Sequence, residues 1–165
     1  MTIRTLVALS LVAVAATAVA GTSGTPKGVK TQASPNVNLA KEKLSATYDV
    51  TGNGQSAGLP QFQFTTVASS TVSCGNAAGC SIGIGAMAQI QSAGADWAIC
   101  LSIDGTYVEC QYQGVQAGPS SFVVGNARGW GTVALGSHTV NLDLYTESAS
   151  GTYQYFQMDT SVYKP

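Results

Sequence analysis

Apolar residues in this chain recur at every second position in short runs, and no stretch sustains the 3.6-residue spacing of a helix. SATYDV (45–50) places Ala46, Tyr48 and Val50 on one side, and QFQF (61–64) places Phe62 and Phe64 together. SIGIGAMAQI aligns Ile82, Ile84, Ala86, Ala88 and Ile90, and WAICLSI aligns Trp97, Ile99, Leu101 and Ile103. HTVNLDLY aligns Val140, Leu142 and Leu144; FQMDTSV aligns Phe156, Met158, Thr160 and Val162. Successive side chains of an extended backbone point to opposite sides, so each run reads as a strand with one buried face. GNG, AGLP, GNAAG, AGAD, DG, AGPSS, GNARGWG, LGS and SASG lie between the runs as turn and loop chemistry.

Strands with a single apolar face need a second sheet to cover them. The chain is therefore expected to be all-β: an antiparallel β-sandwich, jelly-roll or immunoglobulin-like, of about eight or nine short strands. A closed barrel is the alternative, because strand order cannot be read from a period. In the last strand, about 152 to 163, Tyr153 and Tyr155 are out of phase with Phe156, Met158 and Val162. Either a bulge near Tyr155 and Phe156 brings both sets to the core, or the tyrosines form an exposed pair.

The N-terminus carries Arg4, an apolar run from Leu6 to Ala20, and the small-residue pattern Ala18-Val19-Ala20. That is the layout of a secretory signal peptide cleaved after Ala20, since the run is shorter than the ~20 residues that span a bilayer. The expected division is signal peptide 1–20, flexible basic leader 21–43 and sandwich 44–165. The leader is rich in Gly, Ser, Thr, Pro and Asn and has little to bury. AKEKL (40–44) makes one helical turn or continues it. The chain stops at VYKP with no hydrophobic tail, so a secreted or periplasmic protein without stable membrane insertion is expected.

Charge is sparse and uneven. The leader holds Lys27, Lys30, Lys41 and Lys43 against Glu42, a net of +3, while 44–165 holds Arg128 and Lys164 against seven acids, a net of −5. Two basic residues in an acidic domain cannot neutralise a phosphate backbone, which argues against nucleic acid as a partner.

Cys74, Cys80, Cys100 and Cys110 lack the C-x2-C knuckles of a thiolate zinc site and read as two disulfides. In CLSIDGTYVEC (100–110) two signals compete. A two-residue turn at Asp104-Gly105 pairs Leu101 with Val108 and Ile99 with Cys110, which gives one apolar face but sends Cys100 to the other side from Cys110. A three-residue loop centred on Gly105 sets Cys100 opposite Cys110, at the cost of facing Leu101 with Glu109 and Ile103 with Tyr107. The reading adopted is the local staple Cys100–Cys110, with Cys74–Cys80 closing a Gly-rich loop; its alternative joins Cys100 to Cys74 or Cys80.

Catalytic chemistry is thin. His138, in LGSHTVNLDL, is the sole histidine, and no G-x-S-x-G elbow follows the signal segment, so His138 is expected to pin a loop or an edge. Asp143 and Glu147 lie on one face of a strand about 13 Å apart, too far to act as a glycosidase pair, and Asp96 with Asp159 depends on the fold. DVTGNG (49–54) begins like a calcium loop, but Pro60 stands where the closing carboxylate belongs, so it reads as a turn. No metal and no cofactor is expected.

GNARGWGT (125–132) is the most suggestive group. It places Trp130 between Gly129 and Gly131, with Arg128 and Asn126 upstream, on a flexible loop. A ring stacking on a sugar face beside hydrogen-bonding side chains is one use of that combination; a plug at the end of the sandwich is the other. Tyr145, Tyr153 and Tyr155 extend such a surface if they face outward. The final GTYQYFQMDTSVYKP, with Tyr163 near its end, is similar to the last strand of fimbrial subunits over about a tenth of the chain. Those subunits usually carry a disulfide from the first strand and an alternating N-terminal donor segment. Here the cysteines begin at Cys74 and GVKTQASPNVNL alternates poorly, so no family follows.

The function expected from these residues is a secreted, non-enzymatic sandwich binding a glycan or cell-surface polymer. A structural or assembly subunit that self-associates through a strand edge is the alternative, and a secreted hydrolase ranks last.

Overall fold

A computed structural model describes residues 42–113 and 122–165. Eight strands run in chain order: β1 (Lys43–Gly58), β2 (Phe64–Cys74), β3 (Cys80–Gln91), β4 (Trp97–Ile103), β5 (Thr106–Gln113), β6 (Val123–Val133), β7 (Gly136–Thr146) and β8 (Thr152–Lys164). They form two four-stranded sheets, ordered β1-β8-β3-β6 and β2-β7-β4-β5, with every strand pair antiparallel. Each sheet thus draws strands from both halves of the chain, and this interleaving is the jelly roll. The expected signal peptide, the leader up to residue 41 and the AGPSS loop lie outside the described residues. Lys43, assigned to the leader, instead opens β1 opposite Lys164, and Glu42 accepts a 2.7 Å hydrogen bond from Ser81.

The period-two runs supply the core. Ile82, Ile90, Ile99, Leu101, Leu142 and Met158 are fully buried between the sheets, where each contributes about 1.5–3 kcal/mol relative to exposure. Ala46, Tyr48 and Val50 of β1 pack on the same cluster. Two expected turns are strand instead. DVTGNG continues β1, with Asp49 opposite Asp159 and Gly52 opposite Phe156, so this segment is extended strand and does not curl into a turn or a calcium loop. Gly52 is required sterically: a Cβ there would lie 2.3 Å from the Phe156 ring.

GNARGWG is the second, and it is not a flexible loop. It runs through β6, with Gly125, Gly129 and Gly131 buried and Asn126 and Arg128 exposed. The sequence signal misled because glycine usually marks a turn. Here the glycines face the opposite sheet, whose large side chains fill the space: added Cβ atoms would approach Trp97 to 2.3 Å, Val108 to 2.8 Å and Ile103 to 2.6 Å. QFQF divides differently again. Phe64 begins β2, whereas Phe62 sits in the preceding turn, exposed and at a φ of 58°.

In the β4–β5 hairpin the competing signals are both satisfied. Asp104 (φ 49°) and Gly105 (φ 77°) form the tight turn, with both central residues in the left-handed region that a type I′ turn needs. Ile103 pairs with Thr106 and Ser102 with Tyr107, but Leu101 pairs with Glu109 and Cys100 with Cys110. Val108 is the extra residue. This bulge shifts the phase by one, so Val108 enters the core while the disulfide Cys100–Cys110 closes on the other face. Cys74–Cys80 brackets the turn between β2 and β3. With all four cysteines oxidised, a thiolate zinc site is excluded and an oxidising compartment is favoured. No helix among the described residues is long and apolar enough to cross a membrane.

A second phase shift falls in β8, where Gln89 faces Tyr155 and Ile90 faces Tyr153. The extra residue is Gln154, one position before the expected site. Tyr153 therefore turns inward and packs beside Phe156, ring centroids 6.3 Å apart, while Tyr155 turns outward. His138 pins the hairpin end as expected. Its Nδ1 lies 2.7 Å from Asp104 Oδ2 and its Nε2 lies 3.0 Å from the Ala134 carbonyl. Both partners are acceptors, so the doubly protonated ring satisfies both, and the bond to Asp104 raises the imidazole above its ordinary range.

Candidate functional site

The outer faces of the two sheets differ in kind. On the β1-β8-β3-β6 sheet, register sets outward residues in rows across the strands. Thr47, Ser161, Gly83 and Trp130 share one row; Asp49, Asp159, Gly85 and Arg128 the next; Thr51, Gln157, Met87 and Asn126 the third. Rows are about 7 Å apart along the strands and neighbours in a row about 4.8 Å apart. Strand β3 contributes two glycines to the middle of this face, so its centre lacks side chains.

Trp130 uses one of those gaps. A Cβ on Gly83 would lie 2.6 to 3.0 Å from three atoms of the Trp130 six-membered ring, which places the indole flat across the β3 backbone. Tyr163 borders it at a centroid distance of 5.6 Å and an interplanar angle of 40°. The ring stays half-exposed. Beyond Gly85 on the β8 side, Asp159 is braced: Gln157 Nε2 donates to both of its carboxylate oxygens, at 3.0 and 3.3 Å. The Tyr155 hydroxyl donates in turn to Gln157 Oε1 at 3.3 Å. Tyr155, Gln157 and Asp159 therefore form a fixed polar line along β8, while Arg128 and Asn126 stand exposed on β6.

Four of the six candidate binding residues, Trp130, Arg128, Asn126 and Tyr155, thus share this face. Tyr153 does not, because the Gln154 bulge turns it into the core. Tyr145 points outward, but from the opposite sheet, where it is 7% exposed. Sequence reasoning missed Gly83, Gly85, Gln157 and Asp159. The signal was present in IGIG (82–85), whose inward positions are isoleucine and whose outward positions are glycine.

The outer face of the β2-β7-β4-β5 sheet is closed by its own side chains. Ala98, Cys100 and Tyr145 are buried there, and Phe64, Tyr107, Cys110 and Tyr112 pack around them. The Phe64 ring lies 5.2 Å from that of Tyr107 and 5.0 Å from that of Tyr145, so it joins the roof on both sides. Beneath it Asp143, 5% exposed, accepts hydrogen bonds from Thr66 Oγ1 at 2.5 Å and Ser102 Oγ at 3.3 Å. Burial first, then the charge of the neighbouring Asp143 carboxylate, push the Tyr107 phenol up to about 12. Two hydroxyls, one from the exposed Thr66 and one from the buried Ser102, converge on this carboxylate, an arrangement suited to holding a face together. Asp143 and Glu147 form no catalytic pair: Glu147 lies past the end of β7 and accepts from the Tyr145 hydroxyl at 3.4 Å. Among the described residues no three His, Cys, Asp or Glu side chains gather where a metal ion could be held.

No family model and no curated protein matches the chain. Solved structures with a related backbone path include dimeric latent PorU from Porphyromonas gingivalis, at 9% identity and a TM-score of 0.38 over 70% of this chain and 12% of that one. The Gx strain of infectious bursal disease virus gives 11% identity and a TM-score of 0.38, over 72% and 36% of the two chains. This chain therefore spans about an eighth and about a third of those two proteins. At these TM-scores nothing about fold or activity transfers from either to this chain.

Proposed function

We propose that this chain is an exported, non-enzymatic protein that binds a carbohydrate on the outer face of the β1-β8-β3-β6 sheet. One observation carries the reading: Trp130 lies flat on Gly83 in an open face, one row from Arg128 and the braced carboxylate of Asp159 and two rows from Asn126. A pyranose has an apolar face of C–H groups and a rim of hydroxyls. A flat aromatic platform with donors and acceptors around it meets both at once. The Arg4 to Ala20 segment supports export with cleavage after Ala20, and the two disulfides support the same compartment. Both ring nitrogens of His138 and the Asp143 carboxylate are committed to structural bonds, which supports a binding role over a hydrolytic one.

The test is titration of the full chain against neutral, amino and anionic oligosaccharides, with Trp130→Ala and Arg128→Ala beside the native protein. Trp130→Ala is expected to weaken binding at least about tenfold, since stacking of this kind contributes about 0.5–1.5 kcal/mol beyond the area it buries. Native protein that binds none of the three classes, or a Trp130→Ala variant that binds unchanged, refutes the reading.

A further inference from the structure

Among the described residues, Gly85 is the one glycine within a central strand that neither its φ nor a neighbouring group requires. Gly83 leaves room for Trp130, Gly52 for Phe156, and Gly125, Gly129 and Gly131 for side chains of the opposite sheet. At Gly85 an added Cβ meets nothing within 4 Å, and its φ lies outside the left-handed region. It nonetheless sits mid-way along β3, a central strand, between Asp159 on β8 and Arg128 on β6. Glycine weakens a strand interior and often marks a point where a ligand or another backbone approaches closely. Among the described residues the backbones beside Gly85 are those of β6 and β8 in its own sheet, and nothing stands within 4 Å of where its Cβ would be, so the face above it is open to an approach from outside the sheet.

We propose that Gly85 is the floor of a notch that admits the edge of one uncharged pyranose ring beside Trp130. The notch is bounded along β3 by the Trp130 ring over Gly83 and by Met87, and across it by Asp159 and Arg128. Two rows of about 7 Å and two strand spacings of about 4.8 Å leave room for a single six-membered ring and its hydroxyls. Asp159, held by Gln157, accepts from hydroxyls on one side; Arg128 donates to oxygens on the other. Asp49 stands directly opposite Asp159 on β1, so a uronate or sialate would meet two carboxylates for one guanidinium. A side chain at position 85 occupies the place of the sugar edge.

This inference rests on the carbohydrate reading, and Gly85→Thr separates the two. Threonine suits a strand better than glycine and its Cβ meets no neighbour here, so the variant is expected to unfold at the native temperature or above it. Cellohexaose, a glucosamine hexamer and a galacturonate hexamer serve as the neutral, cationic and anionic probes, with native protein, Gly85→Thr and Trp130→Ala titrated in parallel. The expected result is strongest binding of the neutral probe, weakened at least tenfold by Gly85→Thr with no loss of thermal stability. Gly85→Thr that binds as native, while Trp130→Ala does not, overturns the notch and leaves the carbohydrate reading standing. Preference for either charged hexamer overturns the uncharged class. Binding of none by the native protein overturns the notch for these sugars, and the wider oligosaccharide titration then decides the reading beneath it.

Discussion

The two sheets of this jelly roll meet solvent in opposite ways. The β2-β7-β4-β5 face buries a disulfide and a carboxylate under Phe64, Tyr107, Tyr112 and Tyr145; the β1-β8-β3-β6 face leaves Gly85 bare between Arg128 and Asp159. Both faces carry aromatics, hydroxyls and an aspartate. What separates them is whether the aromatic rings lean on one another or on a glycine backbone. Rings that lean on each other close a small second core; a ring laid on a glycine exposes its far side. Position in the fold, and not residue type, decides which aromatic is structural.

That contrast can be broken by making equivalent changes on each face. Replacing both Cys100 and Cys110 by serine should have the largest effect, a loss of about 3–4 kcal/mol of unfolding free energy in denaturant titration, from the opened loop and the exposed face it sealed. Asp143→Ala follows, at roughly 2 kcal/mol, because the buried Ser102 hydroxyl loses its acceptor while the exposed Thr66 hydroxyl turns to water. Asp159→Ala, its counterpart on the open face, should change stability by no more than about 0.5 kcal/mol. Equal costs for the two aspartates would erase the distinction drawn here.

Smaller effects sharpen it through pH. The raised Tyr107 phenol ionises later in the folded chain than in the unfolded one, so its contribution holds below the ordinary value of 10.0 and is lost as pH climbs through about 12. The size should be on the order of 1 kcal/mol after solvent screening, read as a falling midpoint in alkaline melts and reduced in Tyr107→Phe. His138 and Asp104 give the weakest signal, under about 1 kcal/mol for a pair whose carboxylate partner is exposed to solvent. The raised imidazole stabilises fully below its ordinary 6.5 and loses that contribution as pH rises past it. The lowered Asp104 carboxyl stabilises above 3.8 and loses its contribution on further acidification. Melting temperature should therefore crest between those values, and His138→Gln should flatten its alkaline side.

Much of the fold was legible because one-faced strands leave a strict trace. Ile82 to Ile90, Trp97 to Ile103 and Val140 to Leu144 all face the core as their alternation requires. Strand order was not legible, since pairing joins residues such as Ala46 and Val162 that lie at opposite ends of the domain. β6 was misread because its inward positions are glycines, chosen by the bulk of Trp97, Ile103 and Val108 on another sheet. The bulges at Val108 and Gln154 explain the remaining conflicts. A single inserted residue reverses every later side chain, and only the partner strand reveals which residue is the insert. The same limit applied to the site: Tyr153 and Tyr155 look equivalent in sequence, and Gln154 sends them to opposite sides.

The bulges also sort the sheet margins by how well each could accept a foreign strand. β1, β2 and β5, three of the four outer strands, each break their ladder with at least one register shift. An interrupted ladder is a poor template for another chain. β6 alone runs from Val123 to Val133 without a shift, and the charge it carries is the single guanidinium of Arg128. Growth of the sheet by strand addition is therefore least hindered along β6, the strand that also presents Trp130.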